Sequence, residues 1–172
     1  IPRDEVPQFA VRGQYDAGLL EGRPVQADRD EPDVAPDSST ETYVALQLFV
    51  DNWRWQDVPF YLRTGKRMAA RVSEVSIVFH PVPHQSFPTM AAEEAEPNRL
   101  VIRIQPDEGI HLKFETKVPD SMQETRSVDM DFHYRSSFGD GILPDAYERL
   151  LLDVVNGDAS LFTRSDEIEI AW

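Results

Sequence analysis

Leu100-Val101-Ile102-Arg103-Ile104-Gln105-Pro106-Asp107-Glu108-Gly109-Ile110-His111-Leu112-Lys113-Phe114 reads as a β-hairpin. Two runs rich in branched and aromatic side chains flank Pro106-Asp107-Glu108-Gly109, where Pro and Gly stand as a tight reversal needs them. Upstream, Ser73 to Phe79 sets Glu74 and Ser76 against Val75, Ile77 and Phe79, the two-residue period of a half-buried strand. Downstream, Val128 to Tyr134 alternates in the same way. Tyr43 to Val50 is a continuous apolar run ended by Asp51-Asn52, which suits a strand covered on both faces, and Val58 to Arg63 supplies another. Six strands joined mostly by short links imply a mainly antiparallel sheet.

The segments between them are of a different kind. Gly18 to Thr40 is rich in Asp, Glu, Pro and Ser and poor in large apolar residues, the composition of a long exposed loop. Pro81 to Pro97 is Pro-rich and predicts a second loop. From Pro144 to Asn156 the period changes, placing Tyr147, Leu150, Leu151, Val154 and Val155 on one helical face, with Gly157 just past the end. A second helix is expected from Ser165, which is placed to cap it, with Asp166 and Glu167 in the first turn and no closing residue before Trp172.

At 172 residues with 41% hydrophobic content, the chain fits one domain. A net charge of −14 repels phosphate backbones and anionic lipid, so neither nucleic acid nor membrane is an expected partner. No apolar run approaches the roughly 20 residues of a membrane helix, and the cytoplasm is the expected location. Cysteine is absent, which excludes thiolate chemistry and cysteine metal sites. The opening Ile1-Pro2-Arg3, without an initiator Met, and the abrupt end at Ile170-Ala171-Trp172 read as a piece of a longer protein.

Against this acidic background, Val58 to Ser73 holds four cations, Arg63, Lys66, Arg67 and Arg71, and no acid. Leu62-Arg63-Thr64-Gly65-Lys66-Arg67 ends a strand at a glycine, where the backbone turns tightly and Lys66 can reach back over the strand end. A phosphate monoester is doubly charged or nearly so, and each cation about 4 Å away contributes on the order of 4 kcal/mol of attraction before desolvation. The same cluster also suits a solvated face, or cations that neutralise nearby acids. A nucleotide P-loop is excluded, because Phe60 stands where its first glycine belongs and Lys66 is followed by Arg67, not Ser or Thr.

Other groups carry less. His80 and His84 have metal-ligand spacing, but Pro81 and Pro83 forbid the helix that would align them, and no metal is assigned. His111 and His133 lie in alternating strands and read as surface or interface residues. Asp129 and Asp131 share a strand face, as paired carboxylates or as a solvent-facing edge. No dinucleotide fingerprint follows any strand and no activated nucleophile is present, so the residues alone describe an anion site without a catalytic centre. They leave open an enzyme's substrate half, a non-catalytic interaction or oligomerisation module, and a generic sugar-phosphate binder.

Longer strings narrow the choice. Val11-Arg12-Gly13-Gln14-Tyr15, Asn52-Trp53-Arg54-Trp55-Gln56-Asp57-Val58-Pro59-Phe60-Tyr61-Leu62-Arg63-Thr64-Gly65-Lys66, Asn98-Arg99-Leu100-Val101-Ile102-Arg103-Ile104-Gln105-Pro106, Leu143-Pro144-Asp145-Ala146-Tyr147-Glu148-Arg149-Leu150 and Arg164-Ser165-Asp166-Glu167 resemble glucose-6-phosphate dehydrogenase in order and spacing over nearly the whole chain. The resemblance implies an α+β fold, a large, mostly antiparallel (mixed) β-sheet with helices packed on one face. It implies that residues 1–172 are the single C-terminal substrate-binding and oligomerisation domain, without the N-terminal Rossmann domain or the family's C-terminal tail. It further implies oxidation of glucose 6-phosphate to 6-phosphogluconolactone with NADP, the first step of the pentose phosphate pathway, by the parent protein and not by this piece alone.

Carried over by position, Lys66 is a substrate ligand and Arg71 a second basic one, the two residues that also stand in the charge anomaly. Some members of the family hold a second, structural NADP against the sheet, and Arg63, Arg103, Lys113 and Asp131 fall on positions used there. Val72, Ser76 and His111 replace basic or aromatic residues of that site, which argues against tight binding. The family's self-association through the sheet makes a homo-oligomer, with the N-terminal domain of its own chain as the other partner, the expected assembly.

Overall fold

The computed structural model describes residues 2–81, 97–122, 124–139 and 146–171. The chain forms two compact units, Ile1–Arg71 and Val72–Trp172.

The first unit begins with a short helix α1 (Val6–Phe9) that runs directly into β1 (Ala10–Gly13). β4 (Tyr43–Leu48) is the central strand of a three-stranded antiparallel sheet, between β1 and β5 (Phe60–Gly65). Its register pairs Tyr43 with both Gly13 and Gly65. The apolar run predicted for Tyr43 to Val50 is realised as a strand as far as Leu48, with Tyr43 to Gln47 half-buried, whereas Leu48, Phe49 and Val50 are exposed.

The acidic stretch expected to be a loop has structure of its own. β2 (Gly18–Leu20) and β3 (Arg23–Val25) pair as a miniature hairpin, and a 3-10 turn follows at Asp28–Asp30. The reversal is the two residues Glu21 and Gly22, with φ of 51° and 75°, the double positive φ of the turn whose twist matches antiparallel strands. Three-residue strands are too short to register as periodicity, which is why composition reads this segment as loop.

The second unit holds a four-stranded antiparallel sheet in the order β6 (Ser73–Val78), β7 (Arg99–Gln105), β8 (Gly109–Lys117), β9 (Thr125–His133). The predicted hairpin is β7–β8, in register Ile102 with Ile110 and Leu100 with Leu112. Gly109 is buried against β9, and a Cβ there would overlap the Phe132 carbonyl oxygen. Residues opposite one another share a face, so the ladder sorts its side chains in two. One face carries Val75, Ile77, Leu100, Ile102, Ile110, Leu112, Phe114, Val128, Met130 and Phe132. The other carries Glu74, Arg99, Arg103, His111, Lys113, Asp129, Asp131 and His133.

Among the described residues three helices complete this unit: α2 (Tyr134–Phe138), α3 (Ala146–Asn156) and α4 (Ser165–Ala171). The antiparallel α+β class is the expected one, its strands divided among three sheets. Pro144 and Trp172, at the ends of the predicted helices, lie outside the described residues, as do His84 and most of the Pro-rich loop. At the start of α4 the Arg164 amide donates to the Glu167 carboxylate at 3.1 Å, the back-reach of a capping box, so Arg164 and not Ser165 holds the cap position. On α3 the expected apolar stripe faces outward, Tyr147 being 76% and Val155 82% exposed, whereas Asp153 is 3% exposed. Among the described residues no hydrophobic side chain is fully buried, and no helix is long and apolar enough to cross a membrane.

Candidate functional site

The glycine of Arg63-Thr64-Gly65-Lys66 is required by packing. A Cβ on Gly65 would stand 2.9 Å from the Tyr43 ring, 3.2 Å from Met68 Sδ and 3.2 Å from the Thr42 carbonyl oxygen. The tight turn expected at the glycine has its left-handed residue two positions later, at Arg67, with φ 54°. For a residue with a Cβ that conformation costs roughly 1–2 kcal/mol, so surrounding contacts have to hold it. The turn is anchored at its start, where the Lys66 amide donates to the Thr42 carbonyl at 2.8 Å. Thr42 in turn donates its amide to Gly13 at 2.9 Å and accepts the Tyr15 amide on Oγ1 at 2.9 Å.

The four cations singled out by the sequence have different surroundings. Arg67 is neutralised: its Nη2 lies 2.7 Å from Glu31 Oε1, and its guanidinium stands 5.8 Å from the Tyr15 ring centroid. Hydrogen bonds to Glu31 and Tyr15, with the Glu31 charge, raise the Arg67 pKa above its ordinary value. Tyr15 is raised as well, first by desolvation and then by the charges of Glu31 and Asp28, against an opposing hydrogen bond from Arg67. Lys66, Arg71 and Arg63 are exposed and have no ion-pair partner among the described residues. Lys66 directly follows the last residue of β5, and Arg71 closes the first unit five positions later.

A second polar group sits on the charged face of the four-stranded sheet. Arg103, Lys113 and Asp131 share that face, whereas Arg63 belongs to the other unit. His111, opposite Asp131 in the ladder, reaches it through Nδ1 at 2.8 Å and Asp129 through Nε2 at 3.2 Å. The His111 hydrogen bond, ahead of the charges of His111, Arg103 and His133, holds the Asp131 carboxyl below its ordinary range. His133 Nδ1 lies 3.1 Å from Asp107. The paired aspartates of the edge strand β9 therefore bracket the imidazole of His111 on the inner strand β8. Among the described residues no group of His, Asp and Glu is placed to hold a metal ion.

Sequence reasoning missed Glu31 and Tyr15. Neither lies near Lys66 in the chain, and an acid in an acidic loop carries no signal of its own.

Comparison with known proteins points to one family. The family described as glucose-6-phosphate dehydrogenase, C-terminal domain, matches residues 1–172. Glucose-6-phosphate 1-dehydrogenase 2 of Mycobacterium bovis is 48% identical over 169 residues, which is 98% of this chain and 33% of that protein. Glucose-6-phosphate 1-dehydrogenase of Aggregatibacter actinomycetemcomitans is 46% identical over 172 residues, 100% of this chain and 34% of that one. The chain thus spans about a third of the length of these curated relatives. Among solved structures, a glucose-6-phosphate dehydrogenase in complex with its substrate glucose-6-phosphate superposes with a TM-score of 0.82 at 33% identity, over 95% of this chain and 32% of that one. Glucose-6-phosphate 1-dehydrogenase from Mycobacterium avium gives 0.70 at 40% identity, over 95% of this chain and 32% of that one.

Proposed function

The chain belongs to the glucose-6-phosphate dehydrogenase family, over that family's C-terminal domain, and from this premise we propose that its parent protein oxidises glucose 6-phosphate to 6-phosphogluconolactone. NADP, bound by the dinucleotide-binding half of the parent, accepts the hydride from the sugar. The part played by residues 1–172 is to hold the phosphate: Lys66 meets it at the end of β5 and Arg71 adds a second charge. The two units act as one domain, a reading supported by a single family match that runs through both.

The observation that carries this reading is the uneven fate of the four cations. Cations that merely neutralise local acids would be paired with them, yet only Arg67 meets a described carboxylate, while Lys66 and Arg71 keep their charge available. An uncompensated ammonium beside an anchored turn suits a phosphate, whose charge-assisted bonds are strong. The reaction itself needs a base and a coenzyme site that this sequence does not carry, so the 172-residue chain alone is expected to show no turnover.

The charged sheet face is a poorer match to a structural dinucleotide. Arg103 and Lys113 supply cations there, but Asp131 is spent on His111 and Glu74 lies opposite Arg103 in the ladder. The apolar faces support self-association and packing against the rest of the parent, which works in the cytoplasm: Met130 is 60% exposed and Val155 82%. Steady-state kinetics of the parent protein test the proposal. Lys66→Ala is expected to raise the KM for glucose 6-phosphate, and an unchanged KM removes Lys66 from the site.

A further inference from the structure

We propose that Glu31 is a positioning residue for substrate phosphate, acting through Arg67 to fix the turn that presents Lys66; this rests on the phosphate-binding reading above. The observation behind it is a closed circuit of contacts around a strained residue. Arg67 has φ 54° and a side chain anchored at its far end by Glu31 at 2.7 Å, with Tyr15 beneath it and the Tyr15 hydroxyl 3.4 Å from the same carboxylate oxygen. A left-handed arginine persists only where its surroundings over-determine it.

Glu31 is itself held in place. Its amide donates to Asp28 at 3.2 Å, and Asp28 donates its own to the Tyr15 carbonyl at 3.1 Å. Tyr15 is fixed through Thr42, the residue whose carbonyl accepts the Lys66 amide. The acidic connection is thus tied to both ends of the turn, at the Lys66 backbone and at the Arg67 side chain. Release of Arg67 lets its φ relax and re-aims the preceding peptide, and with it the Lys66 side chain.

The sign of the effect separates this from simple electrostatics. If Arg67 were a phosphate ligand masked by Glu31, neutralising the acid would tighten binding of a doubly charged substrate. A clasp predicts the reverse, an acid whose loss weakens binding of an anion.

The test is initial-rate kinetics of the full-length parent enzyme carrying Glu31→Gln, Arg67→Met, the double variant and, separately, Lys66→Ala. Glu31→Gln and Arg67→Met are each expected to raise the KM for glucose 6-phosphate about five- to tenfold with kcat within about twofold. The double variant is expected to be no worse than the weaker-binding single, because both remove one contact. Glu31→Asp, which keeps the charge on a shorter stem, is expected to fall in between and serves if the amide variant does not fold. An unchanged or lower KM for Glu31→Gln or Glu31→Asp, or additive effects in the double, overturns the clasp. If Lys66→Ala raises KM while the Glu31 variants do not, only the clasp fails; if Lys66→Ala leaves KM unchanged, the phosphate site itself is refuted.

Discussion

Gly65 and Tyr43 face each other across the β4–β5 ladder so closely that a Cβ on the glycine would stand 2.9 Å from Cδ2 of the ring. The strand that delivers Lys66 is therefore seated on an aromatic side chain, and the seat leaves no room for a methyl group.

Gly65→Ala is expected to push the Tyr43 ring or the turn aside and stretch the bond from the Lys66 amide to Thr42. Overpacking of this kind costs about 1–3 kcal/mol. Denaturant unfolding and substrate kinetics of the parent check it: lower stability together with a higher KM is the expected pair, and unchanged stability with unchanged KM contradicts the packing account.

Arg71→Ala is expected to raise the KM for glucose 6-phosphate by about tenfold, less than Lys66→Ala, because a second cation sharing one phosphate contributes less than the first. The salt dependence of the KM should weaken in both variants. An Arg71→Ala enzyme with the parental KM and salt slope takes Arg71 out of the site.

The His111–Asp131 pair makes the β8–β9 ladder sensitive to acid. Asp131 titrates below the ordinary carboxylate value of 3.8 when folded, so its contribution is present above that value and is lost as pH falls through the lower folded one. Asp131→Asn should be less stable near neutrality and should show a shallower loss of stability on acidification below about pH 4. Equal slopes for the two proteins in urea titrations at pH 5 and pH 3 would remove the pair from the account.

Arg149 and Asp153 form an ion pair one helical turn apart on α3, at 3.0 Å, with the aspartate side chain only 4% exposed. Arg149→Met leaves that carboxylate enclosed and unpaired. Breaking such a pair costs about 2–3 kcal/mol where one partner is partly solvated. Hydrogen exchange along 146–156 should accelerate in the variant, and the double change Arg149→Met/Asp153→Leu should recover most of the protection.

The hairpin of β7 and β8 was legible because two runs of branched and aromatic side chains flank a turn spelled in Pro and Gly. β1 was not, since Ala10-Val11-Arg12-Gly13 is too short for a period to emerge. Lys66 stood out because positive charge is rare in so acidic a chain. The partner of its neighbour did not: Glu31 meets Arg67 across 36 positions of sequence, and only the folded path of the acidic segment brings them together. The reason for Gly65 was misplaced for a related cause, since a close approach to Tyr43 exists only after β4 and β5 have paired.

The two-sided sorting of the four-stranded sheet also guards the assembly of the chain. Sliding β9 by one residue along β8 would carry Asp129, Asp131 and His133 onto the greasy side and strand Met130 and Phe132 among charges. A misaligned pairing is thus penalised wherever the apolar face is covered, so whatever packs on that face also fixes the alignment of the strands.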